Sequence, residues 1–305
     1  MRKRFCLFLL LIATACQQQK PAAHTVNAAT LRAASQAAAK PALDSSSATI
    51  APVVADEASL TPEMGAAFRQ VDVSKLFLAP ESQSEGFKMA LDGFFGADPQ
   101  RLSLAILQAT RDSLRPELIH VTGKARNRKQ ISSFSGEIHF TQLADYFDQG
   151  FLLSQGGDEF SQDTTKEGGP VINANAYSAS ATFRFVGNAP ATYVLTGQAL
   201  LDFWVRSDGK VGMMYTPGEG MVLEKAPTKG SGLVFTGNWQ EPAGKSARPF
   251  LVSLNIFLQS PDLIKDFGIG DRNSQVNSKY AKLGWSTYWE NDEWWADSPK
   301  PKLSL

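Results

Sequence analysis

From Leu91 to Leu258 apolar and polar residues alternate over short stretches, the period of β-strands with one buried face. Leu91 to Phe95 reads as a strand, and the turn residues Gly96, Ala97, Asp98 and Pro99 lead to a second in which Leu102, Leu104 and Ile106 alternate with Ser103 and Ala105. After Arg115-Pro116, Glu117 to Thr122 sets Ile119 and Val121 against Leu118, His120 and Thr122. A basic loop, Lys124 to Gln130, separates it from Phe134 to Thr141, where Ile138 and Phe140 oppose Glu137, His139 and Thr141. Ala176 to Val186, Ala191 to Val205, Lys210 to Tyr215, Leu233 to Trp239 and Phe250 to Leu258 bring the strands to at least nine. Asp208-Gly209, read as a two-residue hairpin turn, sets Trp204 opposite Met213.

Only Ser84 to Leu91 and Ser274 to Trp289 read as helical. Without strands alternating with helices of ten or more residues, doubly wound and TIM-barrel folds are disfavoured. The expected fold is all-β: an antiparallel β-barrel or β-sandwich with short flanking helices. Phe94-Phe95-Gly96, followed by Gly123 and Phe134-Ser135-Gly136, resembles the meander of lipocalin-type barrels and of small uncharacterised bacterial lipoproteins over about fifty residues. That resemblance bears on the fold and implies no activity.

The N-terminus has a different pattern. Arg2, Lys3 and Arg4 precede the apolar run Phe5 to Ile12, then Ala13, Thr14, Ala15 and Cys16, the order of a secretory signal too short to span a bilayer. Ile12-Ala13-Thr14-Ala15-Cys16 resembles the lipobox of bacterial lipoproteins, in which the cysteine is acylated and begins the mature chain. The resemblance implies lipid attachment at Cys16, a membrane anchor and, because Gln17 is not Asp, the outer membrane. From Gln17 to Leu60 there are 14 alanines, prolines at 21, 41 and 52, and neither aromatic residues nor glycine. Such a stretch cannot bury enough apolar surface to offset its ordering entropy, so it reads as a disordered tether. The expected organisation is a signal peptide over 1–15, acylated cysteine and alanine-rich tether over 16–60, and a single β domain over 61–305.

Across all 305 residues, 30 Lys+Arg balance 30 Asp+Glu. Loss of Arg2, Lys3 and Arg4 with the signal leaves 27 positive against 30 negative side chains, so nucleic acid is not an expected partner and anionic lipid would attract the chain little. Both cysteines, Cys6 and Cys16, lie in the first sixteen residues, which excludes a disulfide framework or a four-cysteine zinc site. G-x-S-x-G, H-E-x-x-H, C-x-x-C and P-loop signatures are absent, so an enzyme, a hydrolase included, is the remote alternative. Gly218-Glu219-Gly220 and Gly268-Ile269-Gly270 read as turns.

Three places remain for chemistry. His120 and His139 share the polar phase with Glu137, a pattern compatible with a divalent metal but equally with a solvated sheet face, and no metal or cofactor is expected. Asp158, Glu159, Asp163 and Glu167 fall in a long loop without calcium-site spacing. Trp285, Tyr288, Trp289 and Trp294, with Tyr280 and Trp295, fall within sixteen residues and are interleaved with Glu290, Asp292 and Glu293. Helical spacing places Trp285, Tyr288 and Trp289 on one face, either as a lid on the core or as a platform for a sugar ring with carboxylates at its edge. Two functions compete: a module binding a glycan or a small apolar ligand, and a structural or assembly lipoprotein contacting another envelope protein.

Overall fold

The computed structural model describes residues 60–79, 90–96, 99–145, 161–162, 171–172, 174–188, 192–215, 226–241, 246–269, 274–289 and 293–296. The signal, Cys16 and nearly all of the tether lie outside the described residues, as do the acidic loop carboxylates, Gly218-Glu219-Gly220 and most of Ser84 to Leu91. No described helix is long and apolar enough to cross a membrane.

The first described element is helix α1 (Pro62–Gln70), started by Thr61, whose hydroxyl accepts the Met64 amide, with proline in its first turn. A 3₁₀ turn, Ser74–Phe77, follows. Thirteen strands follow among the described residues: β1 (Leu91–Phe95), β2 (Gln100–Arg111), β3 (Leu118–Asn127), β4 (Gln130–Asp145), the two-residue β5 (Ser161–Gln162) and β6 (Val171–Ile172), β7 (Ala174–Gly187), β8 (Val194–Arg206), β9 (Val211–Met213), β10 (Leu233–Gln240), β11 (Arg248–Ser253), β12 (Phe267–Ile269) and β13 (Ser274–Val276). Between β11 and β12 lie two single-turn helices, α2 (Ile256–Gln259) and α3 (Pro261–Ile264). The sheet runs β10-β11-β1-β2-β3-β4-β7-β8, and β8 pairs back onto β10. All these pairings are antiparallel, so the fold is a closed eight-stranded barrel, with β9 as an extra strand on the end of β8.

The inward phase of each strand fills the barrel, and phenylalanines dominate it. Phe68 of α1 stacks on Phe140 with centroids 4.6 Å apart, Phe77 lies between Phe140 and Phe235, and Phe235 meets Phe183 edge-on at 5.0 Å. Phe185 stacks on Phe134, and Tyr193 on Trp239 at 3.9 Å, beside Phe95. This column of rings runs from α1 at one end to Trp239 at the other. Inward glycines make room for it: a Cβ on Gly123 would lie 2.5 Å from the Phe134 ring, and one on Gly187 2.3 Å from Tyr193.

α1 and the 3₁₀ turn close one end. Arg111, brought to the inward phase by a register shift between Ile106 and Gln108, donates from Nη1 to the carbonyls of Phe68 (2.9 Å) and Val71 (3.2 Å), where α1 ends.

The structure departs from the sequence expectations in several places. Lys124 to Gln130 is not a loop: β3 continues to Asn127, and a two-residue turn at Arg128 and Lys129 joins it to β4. The hairpin after β8 has three loop residues, because the Arg206 amide donates to Lys210 O across Ser207, Asp208 and Gly209 (φ +83°). The extra residue moves the register by one, so Phe203 faces Met213, and Trp204 lies across Gly212, whose Cβ would be 2.1 Å from the indole. Phe250 to Leu258 ends as a strand at Ser253 and turns helical at Ile256, where Asn255 caps Phe257. α1, α2 and α3 were not expected, and Leu91 belongs to a strand. Ser274 to Trp289 opens with β13 and only then winds through Ser278–Tyr280 and the wider turn Ala281–Trp285.

Candidate functional site

The C-terminal aromatic segment lies on the outside of the barrel wall. Phe94 of β1 and Leu251 of β11 point outward, and Ile256, Leu263, Phe267 and Trp285 pack over them with Phe257, Tyr280, Tyr288 and Trp289 around the edge. Trp285 is fully buried, and its Nε1 donates to Pro99 O at 2.6 Å. Trp285 and Tyr288 are 5.6 Å apart, and Tyr288 meets Trp289 edge-on at 4.9 Å, so these three expected ligand-binding residues form one cluster. Trp294 stands apart from it, packed with Trp295 on Ala79, Ala90, Ala105 and Leu107.

Beneath this cover is a largely buried ion pair. Arg101 donates from Nε and Nη2 to both oxygens of Asp92 (2.8 and 3.1 Å), and Ser103 also donates to Asp92. The Arg101 guanidinium sits 5.3 Å from the Tyr288 ring and 5.7 Å from Trp285. Burial, followed by the nearby Asp92 charge, pushes the Tyr288 hydroxyl well above the usual phenol range. The arrangement locks the segment to the wall: the small outward residues Ser103 and Ala105 leave space for indoles, and arginine meets their π faces.

His120 and Glu137 are direct cross-strand partners, and His139 shares their outward face. His120 lies between two carboxylates, with Nε2 3.0 Å from Asp112 and Nδ1 3.4 Å from Glu137. The imidazole contact, with the Arg115 and Leu114 amides, holds Asp112 down at about 2. With the two ring nitrogens facing different carboxylates, the three groups do not converge on one point. No group of three or more metal-ligating residues is gathered among the described residues.

A second buried carboxylate marks where β8 changes partners. β8 pairs with β10 as far as Leu201 and with β9 from Phe203. Asp202 between them is fully buried, with Oδ1 accepting Ser178 Oγ (2.7 Å) and Oδ2 accepting both the amide and the hydroxyl of Thr228. Gln259 Nε2 adds bonds to Thr228 O and Ser231 Oγ, which fasten the segment 226–232 to the wall. Burial raises the Asp202 pKa despite these donors.

A concave site lies at the α1 end. A cleft of about 420 Å³ opens between α1 and the ends of β4, β7 and β8. Phe68, Val71, Leu143, Tyr177, Phe203 and Val205 supply an apolar and aromatic wall, and Gln70, Asn175, Arg206 and Ser207 supply the polar groups. Small-molecule sites occupy roughly 300 to 1,000 Å³ and combine such walls with a few polar groups. Arg206 pairs with Asp208 through Nη2 at 2.8 Å, whereas its buried Nε has no hydrogen-bond partner among the described residues. None of the expected ligand-binding tryptophans lines this cleft. Sequence reading missed it because α1 was not recognised and because its walls come from strand ends far apart in the chain. The helix-start signal Thr61-Pro62-Glu63 was the available clue.

Comparison with family models, curated proteins and solved structures finds no match. The fold and site define a class alone: a filled, closed eight-stranded antiparallel barrel with an apolar cleft at the end closed by α1.

Proposed function

We propose that this protein is a membrane-anchored envelope lipoprotein, acylated at Cys16 and sorted to the outer membrane, whose barrel binds a small ligand with an apolar body and a hydrogen-bond-accepting or anionic end. The reading rests on the cleft between α1 and the β7–β8 end, where aromatic and aliphatic walls adjoin Arg206, whose buried Nε has no hydrogen-bond partner among the described residues. The apolar body would lie against Phe68, Tyr177 and Phe203, and the accepting end would reach Arg206. A dansylated undecanoic acid should gain fluorescence with the full chain and be displaced by the unlabelled fatty acid. Ser207→Trp, which fills the cleft from an exposed loop position, should abolish the gain while leaving Tm unchanged. The ligand reading fails if wild type gives no gain, or if the filled variant binds equally well. The anchor is tested separately: Cys16→Ser should move the protein from the membrane fraction to the soluble one.

The second reading is an assembly lipoprotein, favoured by the barrel interior that the described aromatic rings fill. It predicts retention of an envelope partner by the Ser207→Trp variant and no response to the fatty acid probe.

A further inference from the structure

We propose a second binding site at the opposite end of the barrel, for a phosphate-bearing saccharide, on the β3–β4 hairpin tip and the Trp294 segment beside it. The tip is basic: Arg128 and Lys129 form the turn, both exposed, with Lys124 and Arg126 on the outward face of β3. Arg128, the first residue of the turn, has φ +56°, in the left-handed region. Glycine suits that first position at little cost, so an arginine there keeps backbone strain of the kind that gathers at functional sites.

The surroundings supply a sugar-binding surface. Ile131, directly across from Arg126, is 44% exposed, one of two exposed large hydrophobics among the described residues. The Arg126 guanidinium lies 4.8 Å from the centre of the half-buried Trp294 ring, and Lys124 Nζ donates to Trp295 O at 2.8 Å. Gly284 (φ +94°) lies against the turn, since a Cβ there would be 3.8 Å from Arg128 Cα. The C-terminal segment thus brings an indole beside a hairpin that itself carries an exposed aliphatic side chain and the cations. Apolar sugar faces stack on such side chains, and phosphate oxygens accept charge-assisted hydrogen bonds from the arginines and lysines. Bare phosphate would use the cations alone, and so the apolar neighbours argue for a phosphorylated sugar. This site does not depend on the end cleft, whose lining lies at the α1 end.

The test is titration of the full chain by calorimetry with a phosphomannan oligosaccharide, the same oligosaccharide after phosphatase treatment, inorganic phosphate, and phosphatidylglycerol vesicles. The phosphorylated oligosaccharide should bind best and weaken as salt rises. Arg128→Gly combined with Lys129→Ser should weaken it at least about tenfold, the scale of one lost charge-assisted hydrogen bond where two cations are removed, without lowering Tm, because glycine relieves the turn. Ile131→Ser should weaken the oligosaccharide and leave any binding of inorganic phosphate unchanged. The proposal is overturned if the dephosphorylated oligosaccharide or inorganic phosphate binds as tightly, if the double variant binds like wild type, or if only the vesicles bind.

Discussion

Asp202 shows what a single buried residue does in this fold. It sits where β8 leaves β10 for β9, and it gathers the Ser178 hydroxyl with the Thr228 amide and hydroxyl. A carboxyl whose folded pKa is raised favours the folded state below its unfolded value, near 4, and loses that contribution as pH rises through the folded value. Asp202→Asn removes the ionisation and keeps the shape. Chemical denaturation should therefore find the variant within about 1 kcal/mol of wild type at pH 4. At pH 8 the variant should have gained on wild type by about 1.4 kcal/mol per unit of raised pKa. An unchanged difference between the two pH values would show that the ionisation is not coupled to folding.

At the scale of elements, the C-terminal segment is a second core outside the barrel. Trp285→Ala should lower stability by roughly 3 to 5 kcal/mol, because the indole is fully buried and bonded to Pro99 O. Trp289→Ala should cost less, since that ring is only partly buried, and thermal unfolding of the two variants checks the order. The strands were legible because period-two alternation survives wherever one face is wet, as in β3 and β4 with His120, Thr122, Ser133 and Ser135 outward. In β2 the residues 101–106 are all buried, yet Ser103 and Ala105 still read as an outward phase because indoles and Arg101 cover small residues there. Sequence reading stopped at the three short helices, whose amphipathic faces are a turn or two long, and at the hairpin after β8, where one loop residue decides the register. Grouping of Trp285, Tyr288 and Trp289 was readable from helical spacing, whereas the separation of Trp294 depends on the chain path after residue 289.

Across the whole molecule, closure places constraints that no single element carries. Gly197 of β8 faces Gly237 of β10, and a Cβ on either would lie 2.0 Å from a carbonyl oxygen of the opposite strand. Alanine at Gly197 should therefore force the seam apart and cost about 1 to 3 kcal/mol, the scale of overpacking, measurable by urea unfolding. The cleft was invisible in sequence for the same reason: its walls meet only when the barrel is closed and α1 has docked through Arg111.

The pairing of β1 with β11 has a consequence in time. Asp92 and Ser253 are neighbours in the wall but lie 161 positions apart in the chain. Contacts of such separation close slowly, because the entropy of a long loop is lost before its contacts form. A chain emerging from its N-terminus therefore cannot complete the barrel until Ser253 is available, and until then β1 has an unpaired edge. A polypeptide that closes this late keeps the edge of β1 open for most of its synthesis, the interval in which pairing with a second chain competes with folding.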